Sequence, residues 1–543
     1  MLLTALLTAL CVETYALGQT LSSHSAPIID LDYAVYEGVF NQTTNTTSFL
    51  GIRYAAPPVG KLRFQAPARP LDERRLGVQK ANLLPTGCPQ ASFGMNESTP
   101  FKSGDSNNFI RRQSTNPEDC LFVNAWVPGR LKPNAKLPVL VWIHGGGYVS
   151  GDIQSTTGDD VIIKAGGGLI VVTFDYRLGV FGFLAGAQVK QKGALNAGLL
   201  DQNAVLEWVQ KNIHHFGGNP DEVTIWGESA GAGSVLQHMI AHAGNTQPPL
   251  FKAAITSSTF LPSQYKFDNR IYEQIYSELV ERTGYVKADT SVLVHYSLMT
   301  ATANQEIIIS GFFGTFVTVP VIDGEFIQSS PTQQIASGIL NGDRFLAIIN
   351  TFEGTVFVNE SLSVNMTISD YVSQLFPELD DKQINAIAAQ YTNISTLDIP
   401  LDKDGAIMGE SIFICPTYLV LQSFAGTAFK AEFAIPPGTH GCDIPYYFPR
   451  GAGTPPPFEV FSNPEFTASF AGAIAGFAKF GDPNVHPVSG IITPHWKPFS
   501  DGHSEMLFNR TEDFQPDIRS ITTDQALLER CAFWKSIAGP AGQ

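Results

Sequence analysis

The sequence predicts an α/β protein in which a mostly parallel, mixed β-sheet is flanked by helices on both faces. Short continuous apolar runs rich in β-branched residues suit strands that are buried on both faces, as in parallel sheets. Four such runs are Leu137–Ile143, Leu169–Phe174, Val223–Trp226 and Arg344–Ile349. Stretches with apolar residues at helical spacing, such as Leu199–Phe216, lie between them. Strands that alternate with helices in this way indicate a sheet covered on both sides.

The composition supports a large folded core and argues against several classes of partner. Hydrophobic residues make up 44% of the 543 residues and charged residues only 15%, so the chain can bury enough apolar surface to fold. The formal net charge is -16, which argues against a nucleic-acid partner or an anionic membrane surface. We find no linker that divides the chain and no internal repeat.

The N-terminus is typical of a secretion signal. Residues 1–12 (MLLTALLTALCV) form an apolar run of signal-peptide length, and residues 16–18 (ALG) supply small side chains for cleavage. We therefore expect a signal peptide over residues 1–18, a mature chain that starts near Gln19 and an extracellular protein. A buried N-terminal helix is the alternative. No later segment reaches about 18 uninterrupted apolar residues, so we expect no transmembrane segment.

Sequons and cysteines fit an exported protein. Asn-x-Ser/Thr acceptor sites for N-glycosylation occur at Asn41, Asn45, Asn96, Asn359, Asn365, Asn393 and Asn509. Of the six cysteines, Cys11 lies in the signal, and those left are Cys88, Cys120, Cys415, Cys442 and Cys531. In an oxidising compartment we expect two disulfides, and at least one cysteine stays unpaired. Because none of these cysteines has zinc-ligand spacing, we expect no metal site, and no cofactor is implied.

Ser229 is the candidate nucleophile because it lies at the centre of a G-x-S-x-G motif, residues 227–231 (GESAG). A predicted strand, Asp221–Trp226, leads into the motif and a helix-compatible run, Ser234–Ala243, leads out of it, which is the setting that this motif requires. The turn is so tight that the positions two before and two after the serine must lack bulky side chains. The helix N-terminus then favours developing negative charge at the hydroxyl. A glycine-rich turn with an ordinary serine is the alternative.

A glycine run after an earlier predicted strand is the candidate oxyanion hole. Residues 144–148 (HGGGY) follow Leu137–Ile143 directly. Consecutive glycines let backbone N–H groups turn toward a ligand, and an HGGG-type motif supplies such donors to a G-x-S-x-G serine. We predict Gly146, Gly147 and Ala230 as the donors, with a plain glycine hairpin as the alternative.

The candidate general base is a histidine that follows the serine, since chains with this motif have the order Ser, Asp/Glu, His. The histidines after the motif are His238, His242, His295, His440, His486, His495 and His503. The first two fall in the predicted helix after the nucleophile, where they point away from the site. His440 is bracketed by glycines and follows an apolar stretch, and a loop at the C-terminal end of a strand suits a general base. Spacing alone favours His440 without deciding between the histidines.

Two acidic residues compete for the role of orienting that histidine. Glu353 lies just beyond the C-terminal end of the predicted strand Arg344–Ile349. Asp323, in residues 321–324 (VIDG), is the rival, although its Asp-Gly pair fits a turn equally well. Such an acid holds the imidazole in the right tautomer and stabilises its charged form. Composition alone does not decide which of the two acids orients the histidine.

Longer segments accompany these motifs. They are residues 51–64 (GIRYAAPPVGKLRF), 118–128 (EDCLFVNAWVP), 145–151 (GGGYVSG), 176–184 (YRLGVFGFL), 196–202 (NAGLLDQ), 216–233 and 320–326 (PVIDGEF). With them, the chain resembles the type-B carboxylesterase/lipase family, which includes fungal lipases, animal carboxylesterases and cholinesterases. The resemblance extends over nearly the whole mature chain and is greatest to a secreted fungal carboxylesterase.

The resemblance implies one α/β-hydrolase domain over residues 19–543 and assigns roles within it. The catalytic residues that it implies are the nucleophile Ser229, the acid Glu353 and the base His440. Asp323 then becomes structural. Two residues are implied as supports of the catalytic side chains, Glu228 and Ser258.

The resemblance also implies the cysteine pairing and a lid-like loop. The implied pairs are Cys88 with Cys120 and Cys415 with Cys531, and Cys442 is left as a small, buried free thiol. The loop 88–120 corresponds to the lid of the fungal lipases. Because its apolar residues are separated by polar ones, we expect no strongly interface-activated lid. The loop contains no Trp, whereas cholinesterases place a cation-binding indole there, so a choline ester is a poor candidate substrate.

The predicted function is that of a secreted serine carboxylesterase, which acts through an acyl-enzyme on alkyl, aryl or lipid esters. Alternatives within the same chemistry are a lipase or sterol esterase and a feruloyl-type esterase. A non-catalytic binding protein on the same fold is an alternative of a different class, against which the intact triad positions argue. We expect a small-molecule or lipid ester as the partner; contact with a lipid interface and the oligomeric state stay open.

Overall fold

The centre of the computed structural model is an 11-stranded sheet, and a 3-stranded sheet lies beside it. The structure describes residues 26–91, 100–101, 117–154, 156–283, 316–450 and 458–543. Their strands in chain order are β1 Ile28–Asp30, β2 Val35–Glu37, β3 Val39–Asn41, β4 Thr46–Arg53, β5 Val78–Lys80, β6 Phe122–Pro128, β7 Leu137–Ile143, β8 Ile170–Phe174, β9 Gly218–Glu228, β10 Ala253–Ser257, β11 Arg344–Asn350, β12 Thr427–Phe433, β13 Ser504–Arg510 and β14 Pro516–Thr522.

The large sheet has the spatial order β14-β13-β12-β11-β10-β9-β7-β8-β6-β4-β3. All neighbours from β13 across to β8 are parallel, whereas β14 at one edge and β6, β4 and β3 at the other are antiparallel. The prediction of a mostly parallel, mixed sheet is thus confirmed. The predicted strand Leu137–Ile143 coincides with β7, and β9 extends further at both ends than the sequence indicated.

Helices cover the sheet and connect its parallel strands. They are α1 Gly158–Lys164, α2 Gly179–Phe183, α3 Ala187–Lys192, α4 Ala197–Asn212, α5 Ala230–Gly244, α6 Arg270–Arg282, α7 Pro331–Ala336, α8 Glu360–Ser363, α9 Ile368–Leu375, α10 Asp381–Tyr391, α11 Pro400–Gly409, α12 Cys415–Ser423, α13 Ile444–Tyr447, α14 Pro464–Phe480, α15 Gln525–Ser536 and α16 Ala538–Ala541. The predicted helix Leu199–Phe216 is α4 followed by a 3₁₀ turn, Ile213–Phe216. The helix after the nucleophile starts earlier than predicted, immediately after Ser229.

The two faces of the sheet belong to two separate hydrophobic clusters. In β7, Val139 and Val141 lie in one cluster, whereas Leu140 and Trp142 lie in the other. The same alternation recurs in β9 and β11, because successive side chains of a strand point to opposite faces. Both faces are therefore buried, which explains why the sequence of these strands is continuously apolar instead of alternating.

Both disulfides that the resemblance implied are present. Cys88 bonds to Cys120, and Cys415 bonds to Cys531, which joins α12 to α15. Cys442 is free and buried. Most of the loop between the first pair lies outside the described residues, as does the predicted signal peptide.

Within the described ranges, one helical stretch has the length and apolar character needed to cross a membrane, Pro400–Ser423. It is 94% buried inside the protein, which is what a core helix of a folded domain looks like. The described residues include no group of three or more His, Cys, Asp or Glu side chains placed to hold a metal ion.

Candidate active site

Ser229 stands in a sharp turn between the last residue of β9 and the first residue of α5. Its φ is +56°, a left-handed backbone conformation that non-glycine residues adopt only where the surroundings impose it. Its amide N–H donates to the carbonyl oxygen of Ser257, at the end of β10, with an N···O distance of 3.0 Å. The turn thus fixes the serine by its backbone and leaves the hydroxyl free to point away from the sheet.

The two glycines of the motif are required by close backbone contacts. A Cβ added to Gly231 would lie 2.1 Å from the carbonyl oxygen of Ile143, at the end of β7. A Cβ added to Gly227 would lie 2.3 Å from the carbonyl carbon of Gly231 itself. Neither contact is sterically possible. The sequence-based expectation that both positions must lack a side chain therefore has a direct structural cause.

Ser229, His440 and Glu353 form one hydrogen-bonded chain. The Ser229 hydroxyl donates to Nε2 of His440 with an O···N distance of 2.9 Å. Nδ1 of the same ring donates to Oε2 of Glu353 with an N···O distance of 2.6 Å. The three residues come from the loops that follow β9, β12 and β11, so the carboxyl ends of parallel strands in the central part of the sheet bring them together.

The carboxylate of Glu353 is fully buried and held on its other oxygen. Oε1 accepts a hydrogen bond from the Ser258 hydroxyl and another from the amide of Asn350, both at 2.7 Å. The Asn350 side chain continues this network, because its Nδ2 donates to Ser258 and to the buried Asp443. Ser258 therefore lies where the resemblance implied, whereas sequence reasoning did not find Asn350 or Asp443. No motif marks these two residues, because their role depends on the register of separate strands.

Asp323, the rival acid, lies elsewhere. Its carboxylate accepts hydrogen bonds from the Asn196 side chain at 2.6 Å and from the backbone amides of Glu325 and Ile327. These contacts are those of a turn residue. The histidines of α5 are likewise occupied away from Ser229, since His238 is buried and hydrogen-bonded to Gln202.

Glu228 adds a second carboxylate on the serine side of His440. Its Oε1 lies 3.3 Å from Nε2 of the imidazole. Burial raises the pKa of Glu228 to about 8, with the charge of His440 opposing the shift. Burial of the imidazole favours its neutral form, but the hydrogen bond and charge of Glu353, together with the charge of Glu228, outweigh burial and raise the pKa of His440 to about 9. The site therefore stabilises a charged imidazolium strongly.

The glycine loop after β7 lies against the nucleophile. Gly146 and Gly147 have φ values of +102° and +61°, and a Cβ on Gly146 would lie 2.1 Å from the carbonyl oxygen of Ser150. A Cβ on Gly145 would lie 3.0 Å from Cβ of Ser229, so the loop and the serine are in direct contact. The three predicted donors are the backbone amides of Gly146, Gly147 and Ala230. Among the described residues, none of these amides donates a hydrogen bond to a protein acceptor.

Aromatic rings form the wall beside the histidine. The ring centroids of Phe413 and Phe357 lie 4.6 Å and 5.0 Å from that of His440, and these two phenylalanines stack on each other at 5.4 Å. Phe260 and Phe316 extend the wall. No sequence motif marks these rings, because phenylalanine is abundant in the chain and most of it is core. The only local signal is that Phe357 follows Glu353 by one helical turn.

Known proteins are similar to this chain over most of its length. Residues 25–534 match the model of the carboxylesterase family. The chain belongs to the carboxylesterase family. Carboxylesterase patB of Aspergillus clavatus is 28% identical over 94% of this chain and 96% of its own. A secreted lipase of Arthroderma benhamiae is 29% identical over 79% of this chain and 85% of its own.

A solved structure supports the fold assignment. The crystal structure of Aspergillus niger EstA superposes with a TM-score of 0.81 at 28% identity, covering 96% of this chain and 99% of that one. The predicted α/β-hydrolase fold is therefore confirmed. This carboxylesterase-family member is a carboxylic ester hydrolase.

The electrostatics predict a pH effect of replacing Glu228. Only a neutral imidazole can accept a proton, so with His440 as the predicted base we expect activity to rise with pH as the ring is deprotonated. Glu228→Gln removes one of the charges that raise the pKa of His440. The acid limb of the kcat/KM profile should therefore move to lower pH by about 1 unit.

The matched control is Glu325→Gln, which changes a glutamate whose side chain is 79% exposed and should leave the limb in place. A limb that stays unchanged or moves to higher pH in Glu228→Gln would contradict the assigned role of this carboxylate.

Proposed function

We propose that the chain is a secreted serine carboxylesterase in which Ser229, His440 and Glu353 are the catalytic residues. The observation that carries the proposal is the continuous hydrogen-bonded chain from the Ser229 hydroxyl through both ring nitrogens of His440 to the buried Glu353 carboxylate. A serine is a weak nucleophile until an adjacent base takes its proton, and this chain supplies such a base in a fixed orientation.

In the proposed reaction, Oγ of Ser229 attacks the ester carbonyl carbon while Nε2 of His440 takes the hydroxyl proton. The tetrahedral intermediate collapses, the bond to the alkoxy oxygen breaks, and His440 returns the proton to the leaving alcohol. Water then attacks the acyl-enzyme, His440 again takes a proton, and the acid leaves with Ser229 restored. Glu353 orients the imidazole and stabilises its charged form throughout, and its own two oxygens are held by hydrogen bonds from Ser258, Asn350 and the imidazole.

The proposed oxyanion hole consists of the amides of Gly146, Gly147 and Ala230. Their N–H groups lack protein acceptors among the described residues, and Ala230 is the first residue of α5, where the helix dipole favours negative charge. An oxyanion bound there would gain hydrogen bonds that the ground-state carbonyl makes less well. Loss of one such donor costs about 2.7–4 kcal/mol of transition-state stabilisation in related chemistry.

The proposed substrates are alkyl or aryl esters with an apolar acyl group. The wall formed by Phe413, Phe357, Phe260 and Phe316 supports this class, because aromatic rings offer apolar contact and no fixed charge. We favour a broad esterase over a true lipase, since the loop 88–120 is largely polar in sequence. Lipase, sterol-esterase and feruloyl-esterase activities are the alternatives that a substrate series would separate.

Secretion is part of the proposal. Residues 1–18 have the pattern of a signal peptide, two disulfides are formed, and a relative over 79% of the chain is described as a secreted lipase. Four sequon asparagines are exposed, Asn41, Asn45, Asn365 and Asn393, and two are half-buried, Asn359 and Asn509. Asn96 lies outside the described residues.

Ser229→Ala tests the chemistry. With p-nitrophenyl esters from acetate to palmitate, the wild type should turn over, whereas the variant should lose on the order of 10⁶-fold in kcat because the nucleophile is gone. A fluorophosphonate should label wild-type Ser229 and leave the variant unlabelled, as peptide mass mapping would detect. Ser500→Ala, at an exposed position outside the sequons, is the control. Turnover retained by Ser229→Ala would refute the mechanism, and a folded but inactive wild type would favour the binding-protein alternative.

Phe357→Ala tests the acyl wall. Removing this ring opens space beside His440. The ratio of kcat/KM for longer acyl chains to kcat/KM for acetate should therefore rise, by roughly 10-fold at the chain length that the new space admits. The measurement is the chain-length profile of p-nitrophenyl ester hydrolysis. Phe514→Ala removes a ring that is 53% exposed and should leave the profile unchanged. An identical profile for Phe357→Ala would argue that the acyl group binds elsewhere.

Expression of the full-length chain in a eukaryotic secretory host tests export. The protein should accumulate in the medium with its N-terminus at or near Gln19, as mass spectrometry of the N-terminal peptide would detect. Treatment with a peptide-N-glycosidase should increase its mobility on a denaturing gel. Retention inside the cell with residues 1–18 intact would contradict the predicted signal peptide.

A further inference from the structure

Phe413, which contacts His440, belongs to a helix that Pro416 disturbs. Proline has no N–H, so backbone carbonyls about one turn earlier lose the donor that a regular helix would give them. Residues Glu410–Ile414, between α11 and α12, form a π-helical turn, in which the Cys415 amide donates to the carbonyl five residues back. Position 416 would donate to the Ile412 carbonyl in an α-helix or to the Ser411 carbonyl in a π-helix, and Pro416 can donate to neither.

Both carbonyls are satisfied from outside the helix. The backbone amide of Leu261 donates to the Ile412 oxygen at 2.8 Å. Nε2 of Gln543 donates to the Ser411 oxygen, also at 2.8 Å. Tertiary donors thus reach both of the carbonyls that an N–H at position 416 could have served, as buried carbonyls require.

The same amide group of Gln543 reaches a second chain segment. Its Nε2 also donates to the carbonyl oxygen of Leu261 at 2.7 Å, so both amide hydrogens are used. Gln543 is 4% exposed, and its main-chain oxygen is held by the Ser330 hydroxyl at 2.6 Å. One buried side chain therefore joins the loop after β10 to the π turn.

The two joined segments carry opposite parts of the aromatic wall. Leu261 follows Phe260, and Ser411 lies two residues before Phe413. The rings of Phe260 and Phe413 lie 5.4 Å apart, and the Phe413 ring lies 4.6 Å from that of His440. A change in the distance between the segments would therefore move rings that contact the base.

We propose that Gln543 is a positioning residue for ester hydrolysis. Its side-chain amide joins the Phe260 segment to the Phe413 segment by two hydrogen bonds and so fixes the position of the aromatic wall beside His440. The inference rests on the proposed function, because it requires His440 to be the base and the aromatic wall to contact the acyl group. Gln543 itself touches neither the substrate nor the triad.

The test is Gln543→Met, which keeps the length and much of the volume of the side chain but removes both N–H donors. We expect kcat for p-nitrophenyl butyrate to fall about tenfold, since small misplacements at a catalytic base are costly. We expect the octanoate-to-butyrate ratio of kcat/KM to change at least about threefold. Both are measured well below the melting temperature, with circular dichroism confirming that the variant is folded.

Ser263→Ala is the matched control, because its hydroxyl donates to the Ala541 oxygen of the same chain segment and does not contact the π turn. It should lower the melting temperature and leave the acyl ratio unchanged. If Gln543→Met behaves like this control, with unchanged kcat and acyl ratio, Gln543 is only a stabilising residue and the inference is overturned.

Pro416→Ala gives a second, independent test, since it restores an N–H that can reach the Ser411 oxygen. In the Pro416→Ala background, Gln543→Met should cause a smaller change in the acyl ratio and in kcat. Equal effects of Gln543→Met on kcat and on the acyl ratio in both backgrounds would overturn the inference. If Gln543→Met alone does not fold, the double variant should fold, and its failure to fold would also overturn the inference. Wild type that hydrolyses no ester would instead refute the proposed function.

Discussion

The candidate active site depends on one steric constraint, the contact of three backbone segments at the turn that carries Ser229. The positions of Gly227 and Gly231 place the start of α5 against the end of β7, with no room for a Cβ. This contact brings the glycine loop beside the serine and directs the first amides of the helix toward the same space. The imidazole then needs only to approach from the neighbouring strand ends, where β11 and β12 already lie in register. Each remaining contact of the site presupposes this turn.

Burial lowers the pKa of His440, and the nearby carboxylates raise it. The effect of the carboxylates is the larger of the two. Three acids surround one imidazole, namely Glu353, Glu228 and Asp443. Burial alone would keep the ring neutral, yet their combined charge favours the protonated form. Such an environment suits a base that must carry a positive charge while a tetrahedral oxyanion exists beside it. The cost is that buried acids need hydrogen-bond donors, which Ser258, Asn350 and Tyr447 provide.

Local sequence patterns predicted the strands, the turn at Ser229 and the glycine loop, because each depends on residues close together in the chain. The partners of the serine did not follow from local pattern, since His440 and Glu353 lie 211 and 87 residues from their hydrogen-bond partners. The residues alone left Asp323 and Glu353 as rivals, and the family resemblance decided between them. Phe413 and its π turn escaped both approaches, because they depend on how Pro416 is accommodated by distant donors.

Backbone contacts and glycines maintain the turn that presents Ser229. The hydroxyl of Ser229 takes no part in these contacts. Within residues 227–231, the proposed chemistry therefore depends on the serine hydroxyl, whereas the shape of the turn depends on the backbone and the two glycines. With Ser229 as the proposed nucleophile, a single change at the serine would abolish turnover while the scaffold and its aromatic wall persist as a receptor for esters. Descendants of such a chain can exchange catalysis for recognition in one mutational step, whereas a change at either glycine would end both.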